Sequence, residues 1–221
     1  VNRKLIVALD LPTLEEARRL VKLLKEEVSL YKVGSVLFTK AGPEAVAMIR
    51  DEGGEVFLDL KFHDIPNTVA SACEAASKID GVFMLNVHAS GGKAMLEAAS
   101  AAVKKTKSKP ILLGVTVLTS EASAEASSEV LRLAMLCKES GLGGVVCSAQ
   151  EAAAVRKACG KDFVIVTPGI RPTGSAAHDQ IRITTPTEAV QNGADYIVVG
   201  RPILEASDPL KVVRSILKEI A

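Results

Sequence analysis

Short runs of Val, Ile and Leu recur eight times along this chain of 221 residues, and each is followed by a stretch with helical periodicity. The runs predict strands at 5–9, 30–33, 56–60, 82–87, 111–117, 144–147, 163–166 and 196–199. The intervening pattern predicts helices near 14–27, 43–52, 66–79, 92–106, 126–140, 150–159, 186–192 and 209–220. Local signals agree. Thr13 precedes Leu14-Glu15-Glu16 with Glu16 in the capping-box position, and Asp208-Pro209 opens the last helix. Gly53-Gly54 and Gly141 mark helix exits. Strands apolar on both faces belong in a parallel sheet covered by helices, and eight of them close a (β/α)₈ barrel, an α/β TIM barrel, as one domain over 1–221. An open doubly wound sheet is the competing fold. It normally carries a Gly-rich first turn, whereas this chain has Asp10-Leu11-Pro12-Thr13 there.

Composition narrows the function. With 48% hydrophobic residues the chain can fill one large core, and a net charge of +1 offers no basic field for nucleic acid or an acidic membrane surface. Aromatics at 3% argue against stacking platforms for single strands. The one basic run, 104–109, ends a predicted helix, where cations offset the macrodipole. Cys73, Cys137, Cys147 and Cys159 lack Cys-x-x-Cys spacing and read as reduced thiols. No apolar run reaches the length of a membrane span, and the residues after Val1-Asn2-Arg3-Lys4 are too few for a signal core. The expectation is a soluble, cytoplasmic protein.

In such a barrel chemistry belongs at the C-terminal ends of the strands. Polar residues collect there: Asp10, Lys32, Asp59 and Lys61, Asn86 and His88, Thr116 and Thr119, Thr167-Pro168-Gly169, and Gly200-Arg201. Asp59 and Lys61, two apart at the exit of the third strand, point to one side, and Asp64 follows in the turn. Burying such charges unpaired is costly, so they need one another or a ligand. The long connection 170–182 has the length of a lid, and its Arg171 and Gln180, with Gly200 and Arg201, would form a phosphate clamp after strands seven and eight. Singly, each residue has a plain reading: Asp10 in a turn, Asp64 as a helix N-cap, Lys32 snorkelling, His63 and His178 exposed, His88 hydrogen-bonded at the rim. Ser90-Gly91-Gly92-Lys93 lacks parts of a P-loop, and the histidines have no metal-site spacing, so no metal is expected.

The stretch Asp59-Leu60-Lys61-Phe62-His63-Asp64-Ile65-Pro66-Asn67-Thr68 resembles the signature of the orotidine 5'-phosphate decarboxylase family. So do Ile6-Val7-Ala8-Leu9-Asp10, Tyr31-Lys32-Val33-Gly34, Asn86-Val87-His88-Ala89-Ser90, Val115-Thr116-Val117-Leu118-Thr119-Ser120, Thr167-Pro168-Gly169-Ile170-Arg171-Pro172 and Val199-Gly200-Arg201-Pro202, in family order. The resemblance implies a cofactor-free barrel acting as a homodimer on orotidine 5'-monophosphate. It implies a charge network of Lys32, Asp59, Lys61 and Asp64, with Asp64, Ile65 and Thr68 entering the partner subunit's site. Asp10 and Lys32 would hold ribose hydroxyls and Thr119 would face the pyrimidine edge. Pro168 would also contact substrate, and Arg171, Gln180, Gly200 and Arg201 would bind the 5'-phosphate from a lid near 170–183. Two alternatives stand beside it: a metal-dependent sugar-phosphate decarboxylase or epimerase on the same barrel, and a catalytically silent nucleotide-phosphate binder.

Overall fold

The computed structural model describes residues 2–117, 126–172 and 184–221. The parallel strands are β1 (Asn2–Ala8), β2 (Val28–Gly34), β3 (Glu55–Phe62), β4 (Val82–His88), β5 (Ile111–Val115), β6 (Gly144–Val146), β7 (Val164–Thr167) and β8 (Tyr196–Val199). They pair in sequence order and β8 returns to β1, closing the barrel. The open-sheet alternative is excluded. Around the outside lie α1 (Leu14–Leu24), α2 (Ser35–Ala41), α3 (Glu44–Asp51), α4 (Pro66–Ser77), α5 (Gly92–Lys105), α6 (Ala126–Glu139), α7 (Ala149–Cys159), α8 (Pro186–Gln191), α9 (Arg201–Leu204) and α10 (Pro209–Glu219). Among the described residues no helix is long and apolar enough to cross a membrane.

Alternation along each strand sorts the core into two layers. Ile6, Ala8, Leu30, Phe57, Met84, Leu113, Val166 and Val198 fill the barrel, while Val7, Tyr31, Leu58, Leu85 and Ile165 face the helices. The helix signals behave as physics asks. Thr13 Oγ1 accepts from the Glu16 amide at 3.2 Å, and Asp208 Oδ1 accepts from that of Lys211 at 3.0 Å. A full capping box, unforeseen in the sequence, opens α8 between Thr185 and Glu188. Two helices were not anticipated either. The turn of helix at α9 follows Gly200 directly, and α2 follows β2 at once and stops at Gly42, whose φ of +56° favours glycine.

Candidate active site

The inward-facing row that fills the barrel turns polar at its C-terminal mouth. Beyond Ala8 comes Asp10, beyond Leu30 comes Lys32, beyond Phe57 come Asp59 and Lys61, and beyond Met84 comes Asn86. These side chains meet in a line of alternating charge. Asp10 Oδ1 accepts from Lys32 Nζ at 2.9 Å, Lys32 Nζ lies 3.3 Å from Asp59 Oδ2, and Lys61 Nζ donates to Asp59 Oδ1 at 2.6 Å. The inner pair is nearly dry, with the Lys32 and Asp59 side chains each 11% exposed, whereas Lys61 is 36% and Asp10 48% exposed. Burial pushes the Asp59 carboxyl up, but the charges of Lys32 and Lys61, with hydrogen bonds from Lys61 and Asn86, hold it below the usual carboxylate value. Burial likewise pulls Lys32 down, and Asp59 and Asp10 outweigh it, raising the ammonium above the usual lysine value. At neutral pH Asp59 and Lys32 are therefore both ionised, and Lys61 is the more exposed of the two lysines on the cavity.

Strand β3 runs past Leu60 to Phe62, so Asp59 and Lys61 lie inside the strand and not at its exit. The ladder is broken there: Leu58 pairs with Leu85 and Phe62 with Val87, and Lys61 sits at φ +50°. This left-handed backbone costs a lysine about 1–2 kcal/mol, the kind of local strain kept where a side chain must be aimed.

The charge line forms one wall of a cavity of about 670 Å³ at the barrel mouth. Phe57, Val115, Val146 and Val198 floor it, and Pro168, Gly169, Arg171, Gly200 and Arg201 line it as well. The β7 end is pinned, since the Arg171 amide donates to Thr184 O at 3.0 Å where the chain returns. Arg171 is buried, with Nη1 donating to Ile170 O, and Arg201 opens α9. A small anionic ligand placed here would have cations of β2 and β3 at one end and two guanidinium groups at the other. Among the described residues no three His, Cys, Asp or Glu side chains converge as a metal-binding group.

A model of the orotidine 5'-phosphate decarboxylase / HUMPS family matches residues 3–216. The chain belongs to that family. It is 51% identical over 232 aligned residues to an orotidine 5'-phosphate decarboxylase of Moorella thermoacetica, covering 98% of this chain and 92% of that one. A second relative of that name, from Nitrosococcus oceani, is 50% identical over 99% of this chain and 97% of its own. Among solved structures, an orotidine 5'-phosphate decarboxylase from Lactobacillus acidophilus superposes with a TM-score of 0.82 at 38% identity, covering 99% of both chains.

Of the residues singled out from the decarboxylase-family signature, the structure brings Asp10, Lys32, Asp59, Lys61, Pro168, Arg171, Gly200 and Arg201 to one cavity. Asp64, Ile65 and Thr68 do not line it; they lie on an exposed segment, Ile65 at 66% exposure. Asp64 is not the N-cap of α4. Ile65 holds that position, and Asp64 Oδ1 accepts from the Ile65 amide at 2.6 Å. Thr119, Gln180, His178 and most of the 170–183 segment lie outside the described residues. Two members of the site were given no role from the sequence, because their partners are distant along the chain or appear only in the fold. A Cβ on Gly34 would lie 2.9 Å from both Asp10 Oδ1 and Lys32 Nζ, so the glycine makes room for that pair. Asn86, placed at the rim and within the family-like stretch Asn86-Val87-His88-Ala89-Ser90 but given no role, is fully buried and bonded to both Asp59 and Lys61. The histidines 63 and 88, distant in sequence, have rings 5.4 Å apart.

Proposed function

We infer that this chain decarboxylates orotidine 5'-monophosphate to UMP, the reaction that its family and its half-identical relatives carry in their names, with Lys61 as the general acid. One observation carries the assignment of Lys61: its ammonium faces the cavity while buried Asp59 grips it at 2.6 Å. When the C6–carboxylate bond breaks, CO₂ leaves and the electron pair stays on C6 in an in-plane orbital that the ring cannot delocalise. A fixed ammonium stabilises that charge as it develops and then transfers a proton from Nζ to C6. Asp59, itself held by Lys32, aims Lys61. Asp59 also opposes the substrate carboxylate, but two like charges at about 4 Å with an effective dielectric near 20 repel by ~4 kcal/mol, roughly a thousandfold in rate. A barrier of this kind needs more, so the larger share falls to Lys61 and to phosphate binding, which couples remote affinity to the reacting centre. The chemistry as drawn calls for no cofactor.

Asp10 and Lys32 take the ribose hydroxyls, and Arg171, Arg201 and the Gly200 turn take the 5'-phosphate; the roles expected of Thr119 and Gln180 fall on residues outside those described. The exposed segment with Asp64, Ile65 and Thr68 completes the site of a second copy in a homodimer; its exposure, including an apolar Ile65, supports that reading. The reaction, which makes a pyrimidine nucleotide, fits a cytoplasmic enzyme. The test is Lys61→Ala, followed by loss of orotidylate absorbance with and without EDTA. Turnover should vanish while UMP still binds, and wild type should keep full activity in EDTA, which a metal-dependent sugar-phosphate enzyme would not. Near-normal kcat in the variant removes Lys61 from the acid role.

A further inference from the structure

Asn86 has no part in the mechanism above, yet both ends of its buried amide are engaged by residues that do. Between the paired positions Leu58/Leu85 and Phe62/Val87, β3 advances four residues while β4 advances two. Asn86 lies opposite that excess. The Lys61 amide N–H, turned aside by φ +50°, donates to Asn86 Oδ1 at 2.8 Å. The other end of the same amide, Nδ2, donates to Asp59 Oδ1 at 2.7 Å, the oxygen that also receives the Lys61 ammonium. Reversing the amide would set donor against donor and acceptor against acceptor, so its orientation is fixed by chemistry. A backbone carbonyl could accept from Lys61 but could not donate to Asp59; only a group with both functions joins the two.

We propose that Asn86 is a positioning residue for decarboxylation: its side-chain amide locks the left-handed backbone of Lys61 and the carboxylate of Asp59 in one register, so that the ammonium meets C6. The proposal rests on the assignment of Lys61 as the acid. Without the amide, Lys61 can relax toward ordinary strand geometry, its N–H is left buried and unmatched, and the ammonium swings away. Substitution by aspartate separates the two functions. It keeps an acceptor for Lys61 but sets a carboxylate against Asp59, so the two share a proton at low pH and repel at high pH. The charged residues bonded to Asn86 are Asp59 and Lys61 on β3; Lys32 and Asp10 follow along the charge line, His88 stands two residues on along β4 beside His63, and Leu113, paired with Asn86 on β5, is uncharged.

The experiment compares full-length wild type, Asn86→Ala and Asn86→Asp in kcat and KM for orotidine 5'-monophosphate from pH 5 to 9, with thermal melting of each. Asn86→Ala should lose about 100-fold in kcat with KM changed by less than about threefold. Asn86→Asp should be similarly slow at pH 8 and recover at least about tenfold toward pH 5, a recovery absent in wild type. A kcat for Asn86→Ala within about threefold of wild type overturns the proposal, as does an Asn86→Asp variant with no recovery in acid. If Asn86→Ala does not fold, the acid recovery of Asn86→Asp decides alone. An inactive wild type would sink the functional reading instead. A crystal structure of either variant then tests Asn86 separately: Lys61 should leave positive φ in Asn86→Ala and keep it in Asn86→Asp, and the reverse overturns the role.

Discussion

Replacing Lys32 by methionine removes one ammonium from the middle of the charge line and keeps an unbranched side chain one atom shorter. In the native protein its Nζ stands 3.3 Å from Asp59 Oδ2, an attraction of ~5 kcal/mol at an effective dielectric of about 20. Several kcal/mol of that is offset, because a methionine has no ammonium to strip of water. Asp10, about half exposed, adds at most ~1 kcal/mol. Asp59 also keeps Lys61 at 2.6 Å and Asn86 at 2.7 Å. The expected net loss is therefore about 1–3 kcal/mol at neutral pH, well short of a fully orphaned buried charge.

The pH dependence of that loss is the sharper prediction. Asp59 titrates below its unfolded value of about 3.9, so the stability it contributes is present above pH ~4 and disappears as pH falls through the lower folded value. Lys32 titrates above its unfolded value of about 10.4, so its contribution is full below pH ~10 and fades only as pH rises through the folded value. Urea unfolding of wild type and Lys32→Met at pH 3, 5, 7 and 9 should show a constant gap from 5 to 9 that narrows toward pH 3. A gap unchanged between pH 3 and 7, or a variant as stable as wild type throughout, would refute the electrostatic account of this site.

Gly34→Ala tests the room made for the Asp10–Lys32 pair. Its φ of −95° accepts a side chain, so melting should move little, by less than ~1 kcal/mol, while the pair is forced apart and kcat/KM falls about tenfold in steady-state assays. Arg201→Ala should lower kcat/KM for the nucleotide by roughly 10–100-fold, as loss of a charged hydrogen bond of about 1.5–3 kcal/mol implies, and leave the phosphate-free nucleoside unchanged. Mixing inactive Lys61→Ala and Asp64→Ala proteins should restore activity as subunits exchange, since one site of each mixed dimer would be intact; exchange without recovery argues against a shared site.

Periodicity alone was enough to anticipate the barrel and half of its mouth. Alternation along β3 puts Asp59 and Lys61 on the side of Phe57, and the contact at 2.6 Å agrees. Thr13 and Asp208 were equally readable, because a cap is settled within four residues. The bulge in β3 was not. Nothing local in Asp59-Leu60-Lys61 announces φ +50°, since the register shift exists only in relation to β4. Asn86 was hidden for the same reason: its partners lie 25 and 27 residues away along the chain. Gly34 looked like an ordinary strand end until Asp10 and Lys32 were placed beside it.

The sequence by itself determined which residues face inward and which charges follow them toward the barrel mouth, because side-chain alternation and capping are short-range properties of the backbone; where β3 stops it did not determine, since that strand runs on to Phe62. Only the tertiary structure decided which of those charges touch, how dry each becomes and which one is left facing the cavity. Those outcomes depend on strand register and on desolvation, and both are set by neighbours that the chain brings together only when the barrel closes.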